Sequence, residues 1–215
     1  MSGNADRGLD AYVEEVAAGT PAPGGGSVAA VVGALAAALG EMVANLTLGR
    51  KKYADAEASL RPARDRLTAL RSSLLDAAAA DEAAYQSYRD AASLPHTSDS
   101  EKTARKDAMQ RALIAATDVP LAAARSAHEV AEILQSVARE GNPHVRSDAA
   151  LGALLAETAL RGALLNVRGN AAMLEDRELA ATYLTDADLL EKGGREAAQR
   201  AYRTAMGAAE EDGFR

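Results

Sequence analysis

Apolar residues recur along the chain at the three- and four-residue steps of amphipathic helices, and no stretch alternates as a strand would. A first stripe, from Leu9 to Val16, predicts a short helix near residues 6 to 18. The longest stripe predicts a helix over residues 53 to 93, and its inward positions are Leu60, Leu67, Leu70, Leu74, Ala78, Tyr85 and Tyr88. The pattern therefore predicts an all-α protein.

The remaining helices are predicted from the residues at their boundaries and from their content of small apolar residues. An uncharged Ala/Val/Gly segment indicates a helix over residues 27 to 48, whose small residues allow another backbone to approach closely. Two helices are expected over residues 99 to 116 and 117 to 141, with Ser98 or Thr97 capping the first and Pro120 near the start of the second. A similar Ala/Leu/Gly helix is predicted after Ser147, which is expected to be its N-cap. A last helix runs from residue 176 and is interrupted or weakened at Gly193-Gly194.

Composition agrees with this arrangement. Of the 215 residues, 48% are hydrophobic but only 3% aromatic, so the core consists mainly of Ala and Leu in closely packed helices. We expect one domain over residues 1–215, a bundle of long antiparallel helices that forms a homodimer.

Charge and cysteine content exclude several functional classes. The formal charge of −7 argues against a nucleic-acid partner, which needs a basic face. The absence of cysteine excludes disulfides, thiolate metal sites and a cysteine nucleophile, and it agrees with a cytoplasmic location. The acidic N-terminus is unlike a signal peptide, and the apolar run from Gly24 to Gly40 is short for a membrane span, so no membrane association is expected.

The loop before the second helix has an unusual sequence, TPAPGGGS, over residues 20–27. Its prolines restrict the backbone, while Gly24, Gly25 and Gly26 bring no side chains to the helix N-terminus that Ser27 can cap. Free N–H groups and the helix dipole at such a place suit an anion or a polarised carbonyl. The alternative is a tight turn into a buried helix.

Asp81 falls on the apolar stripe of the third helix. A carboxylate at that position is paired, lies at the edge of a cavity, or has its pKa raised by desolvation. Such groups cluster at functional sites, although structural ion pairs and a rotation of the helix toward solvent are alternatives.

Two further groups of polar residues are candidates for ligand binding. Lys51 and Lys52 follow the second helix and either complement its dipole or bind an anion. Asn45 and Asn166 lie in the two small-residue helices, where buried amides either link helices or line a polar pocket.

Three segments of the chain form a recognisable set. They are the glycine-rich opening TPAPGGGSVAAVVGALAAALGEMVANLTLGRKKY, the motif DEAAY beginning at Asp81, and GNPHVRSDAALGALLAETALRGALLNVRGN beginning at Gly141. Together they resemble the cyclodeaminase/cyclohydrolase family of one-carbon folate enzymes. Their order and spacing agree with the family over nearly the whole chain.

The resemblance implies a dimeric, all-helical enzyme acting at the 5,10-methenyl carbon of tetrahydrofolate, without a metal or redox cofactor. It implies a proton-transfer role for Asp81, with the glycine loop against the pterin and Lys51 and Lys52 on the glutamate tail. It also places further residues near the pocket, namely Asn45, Asn142, Asp148, Arg161 and Asn166.

The resemblance leaves the reaction open between cyclohydrolysis, which the free-standing chain favours, and cyclodeamination. Family members often have a second acid two positions before the motif Asp, where this chain has Ala79. A third alternative is a helical folate-binding or assembly module without catalysis, in which Asp81 is a structural acid.

Overall fold

The computed structural model describes residues 8–211, which form six α-helices and two short 3₁₀ helices with no strand among them. The α-helices are α1 (Leu9–Ala17), α2 (Gly25–Asn45), α3 (Glu57–Ala92), α4 (Asp99–Glu140), α5 (Arg146–Met173) and α6 (Arg177–Glu211). The 3₁₀ helices Lys51–Ala56 and Pro143–Val145 precede α3 and α5. The predicted all-α class is confirmed for the described residues.

The small residues of α2 set its contact with α3. Gly26, Gly33 and Gly40, seven residues apart, face Asp81, Leu74 and Leu67 respectively, which are also seven apart but in reverse order. The two helices are therefore antiparallel, and the inward stripe predicted for α3 is buried from Leu60 to Ala78. A Cβ on Gly33 or Gly40 would lie 3.1 or 2.8 Å from a leucine methyl of this core, so larger residues would separate the helices.

The second small-residue helix, α5, packs on α2 in the same manner. Gly162 faces Ala29, and a Cβ on Gly152 would lie 3.3 Å from the carbonyl oxygen of Ala36, so α5 is antiparallel to α2. The expected pairing of these two helices is confirmed. Helix α4 packs against α3, α5 and α6 and completes the bundle.

Several helix boundaries differ from those predicted. Residues 99–140 form one helix, because Pro120 is accommodated inside α4 rather than beginning a new one. Helix α6 is continuous through Gly193-Gly194, where a Cβ on Gly194 would overlap Leu160, so these glycines allow close packing and do not mark a break. Ser98 caps α4 with a capping box, as expected.

Two predicted caps were wrong. Ser27 is not the N-cap of α2, which is Gly24, because the Ser27 hydroxyl bonds to the Glu82 side chain instead. Ser147 lies inside α5, because the 3₁₀ turn Pro143–Val145 runs directly into that helix.

Two segments, Gly25–Asn45 and Pro143–Met173, are long and apolar enough to cross a membrane by length and composition. Within their most apolar windows, 56% and 50% of residues are buried inside the bundle. Core helices of globular proteins meet the same criterion, so the finding is weak evidence for a membrane span.

Candidate active site

Asp81 lies directly against the N-terminus of α2. A Cβ on Gly26 would come within 2.6 Å of the Asp81 carboxyl carbon, so only glycine allows the carboxyl group to sit so close to this backbone. The Ser27 backbone N–H donates a hydrogen bond to the carboxyl group. The acidic side chain and the glycine turn that the sequence singled out are therefore in contact.

The surroundings of Asp81 favour its protonated form. Burial raises the pKa of the Asp81 carboxyl above its ordinary value, and the neighbouring negative charge of Glu82 raises the pKa further, while the Ser27 N–H bond opposes both. This position can hold a proton at a higher pH than an exposed aspartate can. A carboxyl group of this kind is suited to general acid–base chemistry.

A chain of hydrogen bonds fixes the carboxylate next to Asp81. The buried Ser27 hydroxyl donates to Glu82 Oε1 at 3.2 Å, and the Tyr12 hydroxyl lies 3.0 Å from the same Ser27 oxygen. Tyr12 belongs to α1, none of whose residues is buried. Ser27 thus connects α1, α2 and α3 beside the pocket.

The pocket in front of Asp81 encloses about 230 Å³. Ligand sites usually begin at roughly 300 Å³, so this volume suits a ring system rather than a whole extended ligand. The lining residues come from the glycine loop and from α2 to α5, namely Pro21, Ala22, Gly24, Gly25, Gly26, Asp81, Tyr85, Tyr88, Leu113, Ala116, Asn166, Asn170 and Met173.

Some of the predicted site residues meet here and others do not. Gly24, Gly25, Gly26, Asp81 and Asn166 line the pocket, with Ser27 buried beside it. A second set lies at or near the other end of α2, a helix of 21 residues and therefore about 30 Å long. This far set consists of Asn45, Lys51, Lys52, Asn142 and Asp148.

Within the far set, Asn142 has a clear structural role. It is 5% exposed, accepts hydrogen bonds from Tyr53 Oη and the His144 N–H, and its own backbone N–H donates to Thr47. These bonds join the loop before α5 to the end of α2. In one chain, the expected approach of Asn142 and the lysines to the pocket is not found.

Arg161 also lies away from the pocket. Its exposed guanidinium is 3.8 Å from Glu157 and 3.7 Å from Glu191 on the side of α5 that faces α6. Within one chain, Arg161 is therefore not among the residues that line the pocket. The helical period explains why Arg161 does not face the pocket that Asn166 lines, because the two residues are five apart and lie on different faces of α5.

The structure adds pocket residues that the sequence did not single out as ligand contacts. Leu113 and Ala116 come from α4, in which the sequence indicated no site residue, and Tyr85 and Tyr88 were predicted as inward positions of α3. The sequence could have indicated Asn170, because it lies one helical turn after Asn166 and therefore on the same face of the helix. No sequence spacing indicated the contribution of α4.

The fold and the site together define an all-helical protein with a half-buried acid at a glycine-lined helix N-terminus. The family described as Formiminotransferase-cyclodeaminase matches residues 8–188, and the chain belongs to this family.

The chain is 42% identical over 195 residues to methenyltetrahydrofolate cyclohydrolase of Methylorubrum extorquens, covering 90% of this chain and 93% of that protein. It is 34% identical over 183 residues to formimidoyltransferase-cyclodeaminase of Gallus gallus, covering 83% of this chain but 34% of that longer protein. The solved structure of formiminotetrahydrofolate cyclodeaminase from Thermotoga maritima superimposes with a TM-score of 0.84 at 30% identity, covering 94% of this chain and 98% of the other.

Proposed function

We propose that the chain is a methenyltetrahydrofolate cyclohydrolase, which adds water to 5,10-methenyltetrahydrofolate and releases 10-formyltetrahydrofolate. The observation with the greatest weight is the 42% identity to a cyclohydrolase, over 90% of this chain and 93% of that protein. The Asp81 carboxyl group, which lies against the glycine turn, is a group able to transfer the protons of this reaction.

In this proposal Asp81 transfers the protons. Its carboxylate accepts a proton as water attacks the cationic methenyl carbon and forms a neutral hydroxyl adduct. The same carboxyl group then protonates nitrogen 5 as the carbon–nitrogen bond breaks, and the hydroxyl proton leaves to solvent. The balance is one water consumed and one proton released. Before attack, the negative charge of Asp81 also stabilises the cationic carbon.

Cyclodeamination is the second candidate, and the superposition on the Thermotoga maritima cyclodeaminase supports it. Nitrogen 10 would attack the formimino carbon of 5-formiminotetrahydrofolate, and the Asp81 carboxyl would protonate the departing ammonia. The same pocket and the same proton donor serve both reactions.

One experiment separates these functions. Purified protein is mixed in parallel with 5,10-methenyltetrahydrofolate and 5-formiminotetrahydrofolate while the near-ultraviolet band of the methenyl compound is followed. We expect the band to disappear faster than in buffer with the first substrate and not to form with the second. Formation of the band would establish the cyclodeaminase instead. Folate binding without turnover of either substrate would indicate a non-catalytic module and contradict the proposal.

The pH dependence gives a further prediction. As a base, Asp81 must be ionised, so kcat/KM falls as the pH drops through its raised pKa. Glu82→Gln removes the like charge, lowers the pKa of Asp81 and moves the acidic limb of the profile to lower pH, while Gln can still accept the Ser27 hydrogen bond. Profiles of kcat/KM for both proteins check this, and an unmoved or raised limb contradicts it.

We also propose a homodimer that forms through the outer sides of α2 and α5. Apolar side chains are exposed along both of these adjacent helices, namely Leu35 and Met42 on α2 and Leu151, Leu154 and Leu165 on α5. Several large apolar side chains exposed on neighbouring helices are typical of an interface. An antiparallel two-fold pairing there would bring the far set of one copy toward the pocket of the other, which supports Lys51 and Lys52 as contacts for the glutamate tail.

The dimer is tested by Leu165→Glu. Leu165 is 70% exposed, so the change costs little in the isolated fold, but it would bury a charge at the proposed interface. We expect a monomer by sedimentation. Leu189→Glu on α6 is the matched control, because Leu189 is 67% exposed, and it is expected to remain dimeric. A dimeric L165E protein would contradict this interface.

The remaining features of the proposal rest on the composition and on the family resemblance. The enzyme works in the cytoplasm on a folate substrate, without a metal, redox cofactor, nucleic acid or membrane. The supporting observations are the absence of cysteine and the net charge of −7. Among the described residues, no group of acids and histidines is arranged to bind a metal ion.

A further inference from the structure

Pro120 leaves a backbone acceptor free inside α4. Residue 120 of a regular helix would donate its N–H to the carbonyl of Ala116, but proline has no N–H and its ring crowds that carbonyl. Ala116 lies on the pocket wall. The missing helical hydrogen bond is therefore located at the ligand site.

The side chain of Asn170 supplies the missing donor. Its Nδ2 donates to the Ala116 carbonyl oxygen at 2.7 Å. The orientation of the amide is chemically fixed, because a carbonyl oxygen can only accept and Oδ1 cannot donate to it. Within residues 8–211, Oδ1 of Asn170 accepts no hydrogen bond, although the side chain lines the pocket.

Asn166, one helical turn earlier, is arranged in the same way. Its Nδ2 donates to the Gly162 carbonyl oxygen at 3.1 Å, so its Oδ1 is also available as an acceptor. The part of the wall formed by α2 has the reverse polarity, because the first N–H groups of α2, at Gly25 and Gly26, have no partner within the helix. The pocket thus has acceptors on α5 and donors on α2.

We propose that Asn170 is a specificity-determining residue, oriented by the Ala116 carbonyl that Pro120 leaves free, whose Oδ1 accepts hydrogen bonds from the ring N–H and amino groups of a reduced pterin. Asn166 supplies a second acceptor on the same face of α5. This assignment rests on the proposed folate function. It explains a proline in the middle of a 42-residue helix by its effect on the ligand site.

The test separates ligand binding from structural pairing with three variants. Asn170→Ala removes the acceptor and leaves the Ala116 carbonyl without a donor, so we expect KM for 5,10-methenyltetrahydrofolate to rise about five- to tenfold, with a lower unfolding temperature. Pro120→Ala returns an N–H to Ala116. The double variant is therefore expected to recover the unfolding temperature but to keep the raised KM.

Binding is measured independently as the Kd of 5-formyltetrahydrofolate by calorimetry, and it should weaken in parallel with KM. Pro62→Ala in α3 is the matched control, since it also returns an N–H to a helix but lies outside the pocket, and its KM and Kd should equal those of the wild type.

A double variant with wild-type KM and Kd would show that Asn170 only satisfies Ala116, and would overturn the inference. A double variant no more stable than Asn170→Ala would contradict the role of Pro120. Failure of the wild type to turn over either folate would instead reject the proposed function, and no variant is needed to see it.

Discussion

Asp81→Asn is expected to reduce kcat/KM by about two to four powers of ten, the usual contribution of a positioned acid–base group. Asn keeps the size of the side chain and can still accept the Ser27 N–H bond, but it cannot exchange a proton. The loss is measured as the initial rate of methenyl band disappearance.

The same substitution should not weaken the fold. Because the pKa of Asp81 is raised in the folded chain, the folded state retains this proton to higher pH than the unfolded state does. The carboxyl group therefore reduces stability as the pH rises through that interval, and Asn removes this penalty. An unfolding temperature at neutral pH equal to or above that of the wild type is expected.

Asp76→Asn is the matched control for this substitution, because Asp76 is an exposed aspartate on the same helix. Its activity should remain that of the wild type. Full turnover by the Asp81→Asn protein would reject the catalytic role, and a strong loss of stability would reject the explanation by desolvation.

Gly26→Ala is expected to have an effect on activity of comparable size. The added Cβ would overlap the Asp81 carboxyl group, and its nearest atoms are on a short side chain packed between helices. Either the carboxyl group rotates away from α2 or the two helices separate. Both outcomes break the Ser27 N–H bond to Asp81, so we expect kcat to fall by at least about a hundredfold.

The measurement compares kcat and the unfolding temperature with those of Gly207→Ala. A Cβ on Gly207 meets no other atom within 4 Å, so that control should gain slightly in helix stability and keep its activity. Wild-type kcat in the Gly26→Ala protein would mean that the close approach of Asp81 to the backbone is not needed.

The hydrophobic pattern was sufficient to predict the all-α class and to place Asp81 on the inward stripe of α3. A carboxylate on an otherwise apolar stripe must face something other than core, and the glycines opposite it allow the contact. The stripe from Leu60 to Ala78 is buried as expected because the helical period determines which residues share a face.

Features that depend on pairwise contacts between helices were not predictable from periodicity. Pro120 and Gly194 resembled breaks in isolation. The groups that accommodate them are distant in sequence, because Asn170 donates to the Ala116 carbonyl that Pro120 leaves free and Leu160 packs against Gly194. Periodicity also could not show that Arg161 and Asn142 lie away from the pocket within one protomer. Asn142 lies at the other end of α2, which is about 30 Å long, and Arg161 lies on another face of α5.

The regular spacing between α2 and α3 has a consequence for how this site changes over evolution. Gly26, Gly33 and Gly40 lie along one line of contact between α2 and α3. The distance between the two helices at Asp81 therefore depends on the leucines two and four turns away as much as on the immediate neighbours of Asp81. A larger residue at position 33 or 40 would separate α2 from α3 and move the Asp81 carboxyl group away from the Ser27 N–H. Substitutions at residues that do not contact the substrate can therefore reduce turnover. The glycines and leucines of this contact should change more slowly in evolution than other residues that are equally buried.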